Sequence, residues 1–280
     1  MNIRFENVFF SYENFSLPAN ASPSRLQDLS FAIRPGEVIG IVGRSGSGKT
    51  TLLQLFNGLL LPERGRVLID EADIHAADYD LVALRRRLGV VFQFPEIQLF
   101  AATVEEEIAF GLQRQNFDAE EISNRVTKAL HAVGLDESFA SRNPFTLSQG
   151  EKRRVALASV FVMQPETLIL DEPTAGLDAR GIAEILALLQ NFHTAAKTLI
   201  IISHDVDLLA SHCSRVLVLD QGRLLYDGTT RQLWGDENNA SRQEVLQKVN
   251  LPLPRYQRVR RQLREKGYDW RGLPILKDSF

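Results

Sequence analysis

Apolar positions recur along this chain with two different periods, and their alternation predicts its organisation. Ile3 to Phe10 alternates apolar and polar residues at strand spacing. Gln27 to Ile33 suggests a second strand, followed by the turn Arg34-Pro35-Gly36-Glu37. Val38 to Val42 is a continuous apolar run that reads as a buried strand, and Thr51 to Phe56 behind it has helical spacing. Gly65 to Asp70 reads as another short strand, and Gly89 to Gln93 as a strand ending on a glutamine. From Thr103 to about Val162 the period becomes helical. Val104, Ile108 and Leu112 fall at i, i+4 and i+8; Ile122, Val126, Ala129, Leu130 and Val133 mark a second helix, ended by Gly134; Ser148 to Val162 is a third. Strand and helix then alternate: Thr167 to Leu170, Ile182 to Phe192, Thr198 to Ile202, a short helix, and Val216 to Leu219. The pattern predicts an α/β fold: a parallel sheet with helices on both faces, antiparallel strands around its first unit, and a helical insertion between strands. After Gly228 the texture shifts. Asp236 to Asn239 is polar and loop-like, and Leu251-Pro252-Leu253-Pro254 ends one helix and starts another, Arg255 to Lys266. That last segment is basic and amphipathic, which suits either a solvated charged face or an interaction surface.

Composition changes this picture little. The 280 residues, 44% apolar and 24% charged, suit one large domain with a small appendage. A net charge of −3 gives no electrostatic case for nucleic acid. The single cysteine, Cys213, excludes a disulfide framework, fits a reducing compartment and is expected to be an inert packing residue. Met1 to Glu6 carries no apolar signal core, and no run approaches the roughly 18 apolar residues of a membrane-spanning helix. The expectation is a protein that does not cross a membrane itself, with attachment through a partner left open.

The chemistry is concentrated at the joints of this pattern. Gly43-Arg44-Ser45-Gly46-Ser47-Gly48-Lys49-Thr50 lies between the buried strand and the helix and fits the phosphate-cradling P-loop pattern. Its glycines let backbone N–H groups close around phosphate oxygens. Lys49 supplies a point charge, Thr50 a hydroxyl for Mg²⁺, and the helix start its dipole. Asp171 and Glu172 end an apolar strand, where parallel sheets bind ligands. Asp171 is placed to hold Mg²⁺ and Glu172 to polarise an attacking water as general base; a strand ending in solvated acids is the plain alternative. His204 and Gln93 close two further strands. His204 is suited to the γ-phosphate and the water, and Gln93 to Mg²⁺ or the water; structural capping is the alternative for both. In Leu147-Ser148-Gln149-Gly150-Glu151, Ser148 is a candidate N-cap with Glu151 at capping-box spacing. A glycine at a helix start also admits phosphate. Because the P-loop already covers one nucleotide's phosphates, this second site suggests the nucleotide of another subunit and a head-to-tail dimer.

This ordered set resembles the ATPase subunit of ATP-binding cassette (ABC) transporters: Tyr12, the P-loop, Gln93, Leu147 to Glu151, Asp171-Glu172, Ala175-Gly176-Leu177-Asp178 and His204. The resemblance covers about Ile3 to Gly228. It implies the P-loop ABC ATPase fold, with a RecA-like core, an antiparallel β-subdomain and an inserted helical signature subdomain at about 94–162, within an ATPase domain at 1–228. Residues 229–280 would form a short helical C-terminal extension. The implied ligands are ATP and Mg²⁺, with ATP held by Tyr12 and Gly43 to Thr51 and Mg²⁺ by Thr50, Gln93 and Asp171. Tyr12 would stack on adenine, a buried strand tyrosine being the alternative. Ser148, Gln149, Gly150 and Glu151 would act in trans, and Asp178 would link the two sites across the dimer.

A narrower resemblance rests on Phe92-Gln93-Phe94-Pro95-Glu96-Ile97-Gln98-Leu99-Phe100, Thr103-Val104, Glu107-Ile108-Ala109-Phe110-Gly111 and Lys152 to Ala158. These look like the energy-coupling factor (ECF) ATPases, which drive vitamin, cobalt and nickel uptake. That implies a second ATPase subunit, homo- or heterodimeric, a transmembrane coupling subunit, a substrate-binding membrane subunit and a peripheral place on the cytoplasmic face of the cell membrane. A docking groove is expected around Phe94 to Glu107, with Glu105, Glu106 and Glu107 either receiving basic side chains or forming a solvated helix start. The alternative is the ATPase of a non-ECF importer or exporter; a non-transport ABC ATPase is more distant, because neither a coiled-coil insertion nor a second cassette is present. The common signature is LSGGQ, and here it is LSQGE. Gln149 adds a side chain where glycine is usual, and Glu151 brings a carboxylate near a triphosphate unless Lys152 or Arg153 offsets it.

Overall fold

In the computed structural model, which describes residues 1–12, 25–113, 115, 117–194, 196–235, 240–266 and 268, the chain sorts into two units. One is Met1 with Asp80–Leu199; the other is Asn2–Tyr79 with Ile200–Phe280. The predicted loop Asp236 to Asn239 lies outside the described residues.

The second unit begins with β1 (Ile3–Phe10), β2 (Leu26–Ile33), β3 (Val38–Gly43), α1 (Lys49–Phe56), β4 (Arg64–Ile69) and the two-residue β5 (Ala72–Asp73). The alternation seen in the sequence becomes a sheet of order β2-β1-β4-β5, antiparallel throughout its pairs. Its inward residues Ile3, Phe5, Val8 and Phe10 are buried. Phe5 stacks on Phe31 at 4.6 Å and meets Phe56 edge-on at 4.9 Å. These aromatic contacts fasten the sheet to α1, the helix behind the P-loop.

The first unit holds α2 (Leu81–Arg87), β6 (Leu88–Val91), a 3-10 turn at Pro95–Gln98, α3 (Val104–Ala109), α4 (Ala119–Ala132), α5 (Gln149–Phe161), β7 (Thr167–Asp171), α6 (Ala179–Thr194) and the first residues of β8 (Thr198–Ile202). β6 and β7 are parallel, from Leu88 beside Thr167 to Val91 beside Leu170. Val104, Ile108, Val126, Leu130, Val155 and Leu157 bury the facing stripes of α3, α4 and α5.

The rest of β8 belongs to the second unit, with α7 (Val206–His212), β9 (Arg215–Asp220), β10 (Arg223–Thr229), α8 (Thr230–Trp234), α9 (Ala240–Lys248) and α10 (Arg255–Glu265). β3 and β9 are parallel, and β9 and β10 antiparallel. Cys213 is 5% exposed, and burial pushes its thiol pKa up, as expected of a packing residue. No helix among the described residues is long and apolar enough to cross a membrane.

Several boundaries differ from the sequence reading. The strand predicted to end at Gln93 stops at Val91, because Phe94 adopts a left-handed φ of 54° and turns the chain into the Pro95-led 3-10 turn. The helix bearing Val104 and Ile108 ends at Ala109, and Leu112 is buried from a 3-10 turn instead. α6 starts before the predicted Ile182 because the Asp178 carboxylate accepts the Gly181 N–H at 2.8 Å.

Candidate functional site

The phosphate cradle is built within the second unit. β3 is buried and delivers Gly43 to a turn closed by Ser47 N–H donating to Arg44 O at 3.1 Å. Gly48 caps α1 with φ 103°, a conformation that side chains rarely adopt, and a Cβ there would lie 2.5 Å from Leu26 Cδ2. A Cβ on Gly43 would lie 2.3 Å from the backbone oxygen of Leu219. No side chain caps α1, and a helix start of this kind suits an anion. Lys49 Nζ folds back over the loop, donating to Gly43 O at 2.7 Å and Arg44 O at 3.0 Å. Arg44, Ser45, Gly46 and Thr50 are exposed, while Ser47 and Thr51 are buried.

Two other predicted residues belong to this half. Tyr12 follows β1, and its hydroxyl donates to Gln54 Oε1 at 3.0 Å and accepts from Thr51 Oγ1 at 3.4 Å. The ring is thus held beside α1. His204 is exposed, on a loop pinned at both sides. Ser203 N–H donates to Ile41 O at 3.1 Å, and Asp205 caps α7 by accepting from Asp207 and Leu208 N–H. The loop therefore runs beside β3 within the second unit.

The first unit positions the acids and the signature. Asp171 ends β7, whose preceding four residues are buried, and Glu172 follows with φ 49°. The chain turns there through Ala175 N–H to Glu172 O at 3.1 Å. Gln93 is exposed, two residues past the end of β6. Asp178, expected to link two subunits, is exposed and spends its Oδ1 on capping α6.

The signature forms the capping box that its spacing predicts. Ser148 Oγ accepts from Glu151 N–H at 3.4 Å, and Glu151 Oε2 accepts from Ser148 N–H at 2.8 Å and Ser148 Oγ at 2.7 Å. These Ser148 hydrogen bonds hold the Glu151 carboxyl below its usual pKa, with Arg142 and Arg154 adding to the effect. Two expectations are corrected here. Arg153 does not offset Glu151, because its side chain is buried toward Glu96, 3.5 Å away, and Ala175. Gln149 is exposed, but its side chain is engaged within its own subunit, Nε2 donating to Glu96 Oε1 at 2.7 Å. A Cβ on Gly150 would meet nothing within 4 Å, so this face of the helix start is open.

The expected docking region carries exposed Phe94, Ile97, Phe100 and Phe110. Beside them is a cavity of about 210 Å³ lined by residues including Leu99, Phe100, Glu107 and Phe110. Glu107 is not available to a partner: it is 6% exposed, and its Oε2 accepts from Phe100 N–H at 2.8 Å and Ala101 N–H at 2.9 Å. Glu106 closes a second capping box with Thr103, and Glu105 is exposed. Glu107→Ala leaves two backbone donors without their acceptor, at about 1–3 kcal/mol. Thermal unfolding of the variant should show the loss; an unchanged melting temperature would refute this role.

Sequence reasoning missed the contact between Glu96 and Gln149. The one available signal was a carboxylate set in the mostly apolar run Phe94 to Phe100. Arg153 was considered only as a counter-charge for its near sequence neighbour.

Comparison with known proteins identifies the family. Residues 26–175 match the ABC transporter family model. Over 271 residues the chain is 40% identical to the energy-coupling factor transporter ATP-binding protein EcfA2 of Clostridium tetani, covering 96% of this chain and 91% of that one. Among solved structures it is similar to cbiO1 of Clostridium perfringens, part of the ABC transporter complex cbiONQ, with a TM-score of 0.75 and 37% identity over 92% of this chain and 98% of that one. It is also similar to the ATP-binding cassette MJ0796, solved as a dimer in a post-hydrolysis state with ADP and Pi. The TM-score is 0.70 at 29% identity, over 82% of this chain and 99% of that one.

Proposed function

This chain belongs to the ABC transporter family, and we propose that its ATP-driven pairing with a second ATPase subunit powers uptake through membrane partners of the ECF type. It is an ATP-binding and ATP-hydrolysing subunit of the energy-coupling factor class. The observation that carries the reading is the glycine-capped cradle of α1, with Lys49 over it. The uncapped helix start supplies N–H donors and a positive dipole end, and Lys49 supplies the charge, so a triphosphate is the matching ligand.

Mg²⁺ suits the residues present. Among the described residues no group of three or more His, Cys, Asp or Glu side chains is arranged to hold a metal, but Mg²⁺ at such sites takes one or two carboxylates and substrate phosphates. Thr50, Gln93 and Asp171 are the residues proposed to hold it, and when bound it neutralises charge on the phosphates. Lys49 holds the β- and γ-phosphates, and Tyr12 offers its ring to adenine. Glu172 orients and deprotonates the attacking water, and His204 donates to the γ-phosphate. From the opposing subunit, Ser148 and the open N–H groups around Gly150 contact that phosphate, while the Gln149 side chain stays with its own subunit.

Ser148→Arg should leave nucleotide binding by the isolated chain intact and reduce hydrolysis by the pair at least about tenfold, since it fills the open helix start and removes the cap. Unchanged turnover of the pair would exclude the trans role. Docking is assigned to the exposed Ile97, Phe100 and Phe110, and a peripheral position on the cytoplasmic face of the membrane goes with that assignment. Co-purification is the direct test. A small coupling membrane subunit and a substrate-binding membrane subunit are the expected partners. Recovery only with permeases served by soluble binding proteins would favour another ABC importer.

A further inference from the structure

We propose that Glu96 and Gln149 form a strut that positions the signature for hydrolysis by fixing it to the docking ridge; this rests on the transporter reading above. Three segments of the first unit are linked through Glu96 and Arg153. Glu96 Oε1 accepts from Gln149 Nε2 at 2.7 Å, at the start of α5. Among the described residues Glu96 Oε2 has no hydrogen-bond partner, and it lies 3.5 Å from Arg153 Nε, with the two side chains 5% and 4% exposed. Arg153 Nη1 donates to Ala175 O at 2.9 Å, in the loop between Glu172 and Asp178. Phe94 completes the junction: a Cβ on Gly176 would lie 3.5 Å from its ring.

The connection has a mechanical consequence. Ile97, 78% exposed, is the next residue after buried Glu96 in the same 3-10 turn. Pro95 fixes the backbone angle at the start of that turn, so Glu96 follows a displacement imposed on Ile97. Gln149 then carries it to Ser148 and Gly150, and Arg153 carries it to Ala175. A buried carboxylate with one amide donor and one guanidinium depends strongly on both. Glycine or alanine at position 149 would leave Glu96 Oε1 without its donor and the start of α5 without its tie. The side chain that departs from LSGGQ thus acts as an internal positioning group.

The test uses the full chain, both isolated and purified in complex with its membrane subunits. Measured for each variant are kcat, the KM for ATP, ATP affinity of the isolated chain and melting temperature. Gln149→Ala and Glu96→Ala should each lower the kcat of the complex roughly tenfold, with ATP affinity of the isolated chain unchanged. The double variant should lose no more than the worse single variant, because both remove one connection. The exchange pair Gln149→Glu with Glu96→Gln keeps one amide and one carboxylate in contact and should restore most of the lost kcat. If Glu96→Ala does not fold, Gln149→Ala and the exchange pair decide the matter. Additive losses in the double variant, or an exchange pair no better than Gln149→Ala, would overturn the strut while wild-type turnover still supports the transporter reading. A wild-type complex that fails to hydrolyse ATP would overturn both.

Discussion

Lys49→Ala should abolish measurable ATP binding, with affinity falling by at least about 100-fold, as expected for loss of a charged partner from a desolvated ion pair. Two effects combine. The ammonium is the cation aimed at the phosphates, and it also bonds Gly43 O at 2.7 Å and Arg44 O at 3.0 Å. Its removal takes away the counter-charge and takes the Lys49 donor from those two loop carbonyls. Lys49→Arg restores the charge but not the compact three-donor head that fits between two carbonyls, so it should recover binding only partly. Calorimetric titration with ATP checks this. Unchanged affinity in Lys49→Ala would end the assignment of the cradle as the nucleotide site.

The second large effect belongs to Glu172. Glu172→Gln keeps the size of the side chain and the turn closed by Ala175 N–H, but removes the proton acceptor. Hydrolysis should slow by roughly 10²–10⁴-fold, the usual contribution of a general base, equivalent to about 3–5 kcal/mol in the barrier. ATP binding should persist, so the ATP-bound pair should accumulate. Single-turnover hydrolysis and size-exclusion chromatography in the presence of ATP measure the two consequences. Wild-type turnover would remove Glu172 as the base and leave Asp171 or His204 to be reconsidered.

What could be read in advance was what depends on local pattern. The P-loop was legible because the glycines, Lys49 and the following apolar spacing are contiguous. The capping box at Ser148 was legible because its two partners are three residues apart. The strands of the antiparallel sheet were legible from alternation, since one face is buried. β5 was missed because two residues carry no period. β10 was missed because its residues are only partly buried or exposed, so apolar alternation is weak. Long-range contacts were invisible. Gln149 and Glu96 are 53 positions apart, and Arg153 reaches Ala175 across 22. Glu107 looked like a surface acid because a sequence does not reveal that two backbone N–H groups of the preceding loop will be turned toward it. In each case the error came from judging a side chain by its neighbours in the chain.

The burial of Cys213 has a practical consequence for following the catalytic cycle. Reaction with maleimides or nitroxide reagents requires an accessible thiolate, and this thiol is enclosed, with its ionisation suppressed. The natural sequence, with no other cysteine, is therefore already a silent background for probe attachment. A single Ser123→Cys substitution, at an exposed position on α4 outside the nucleotide site, would be labelled alone in each copy. Probe-to-probe distances between two subunits, with and without ATP, could then be followed in a protein otherwise unaltered.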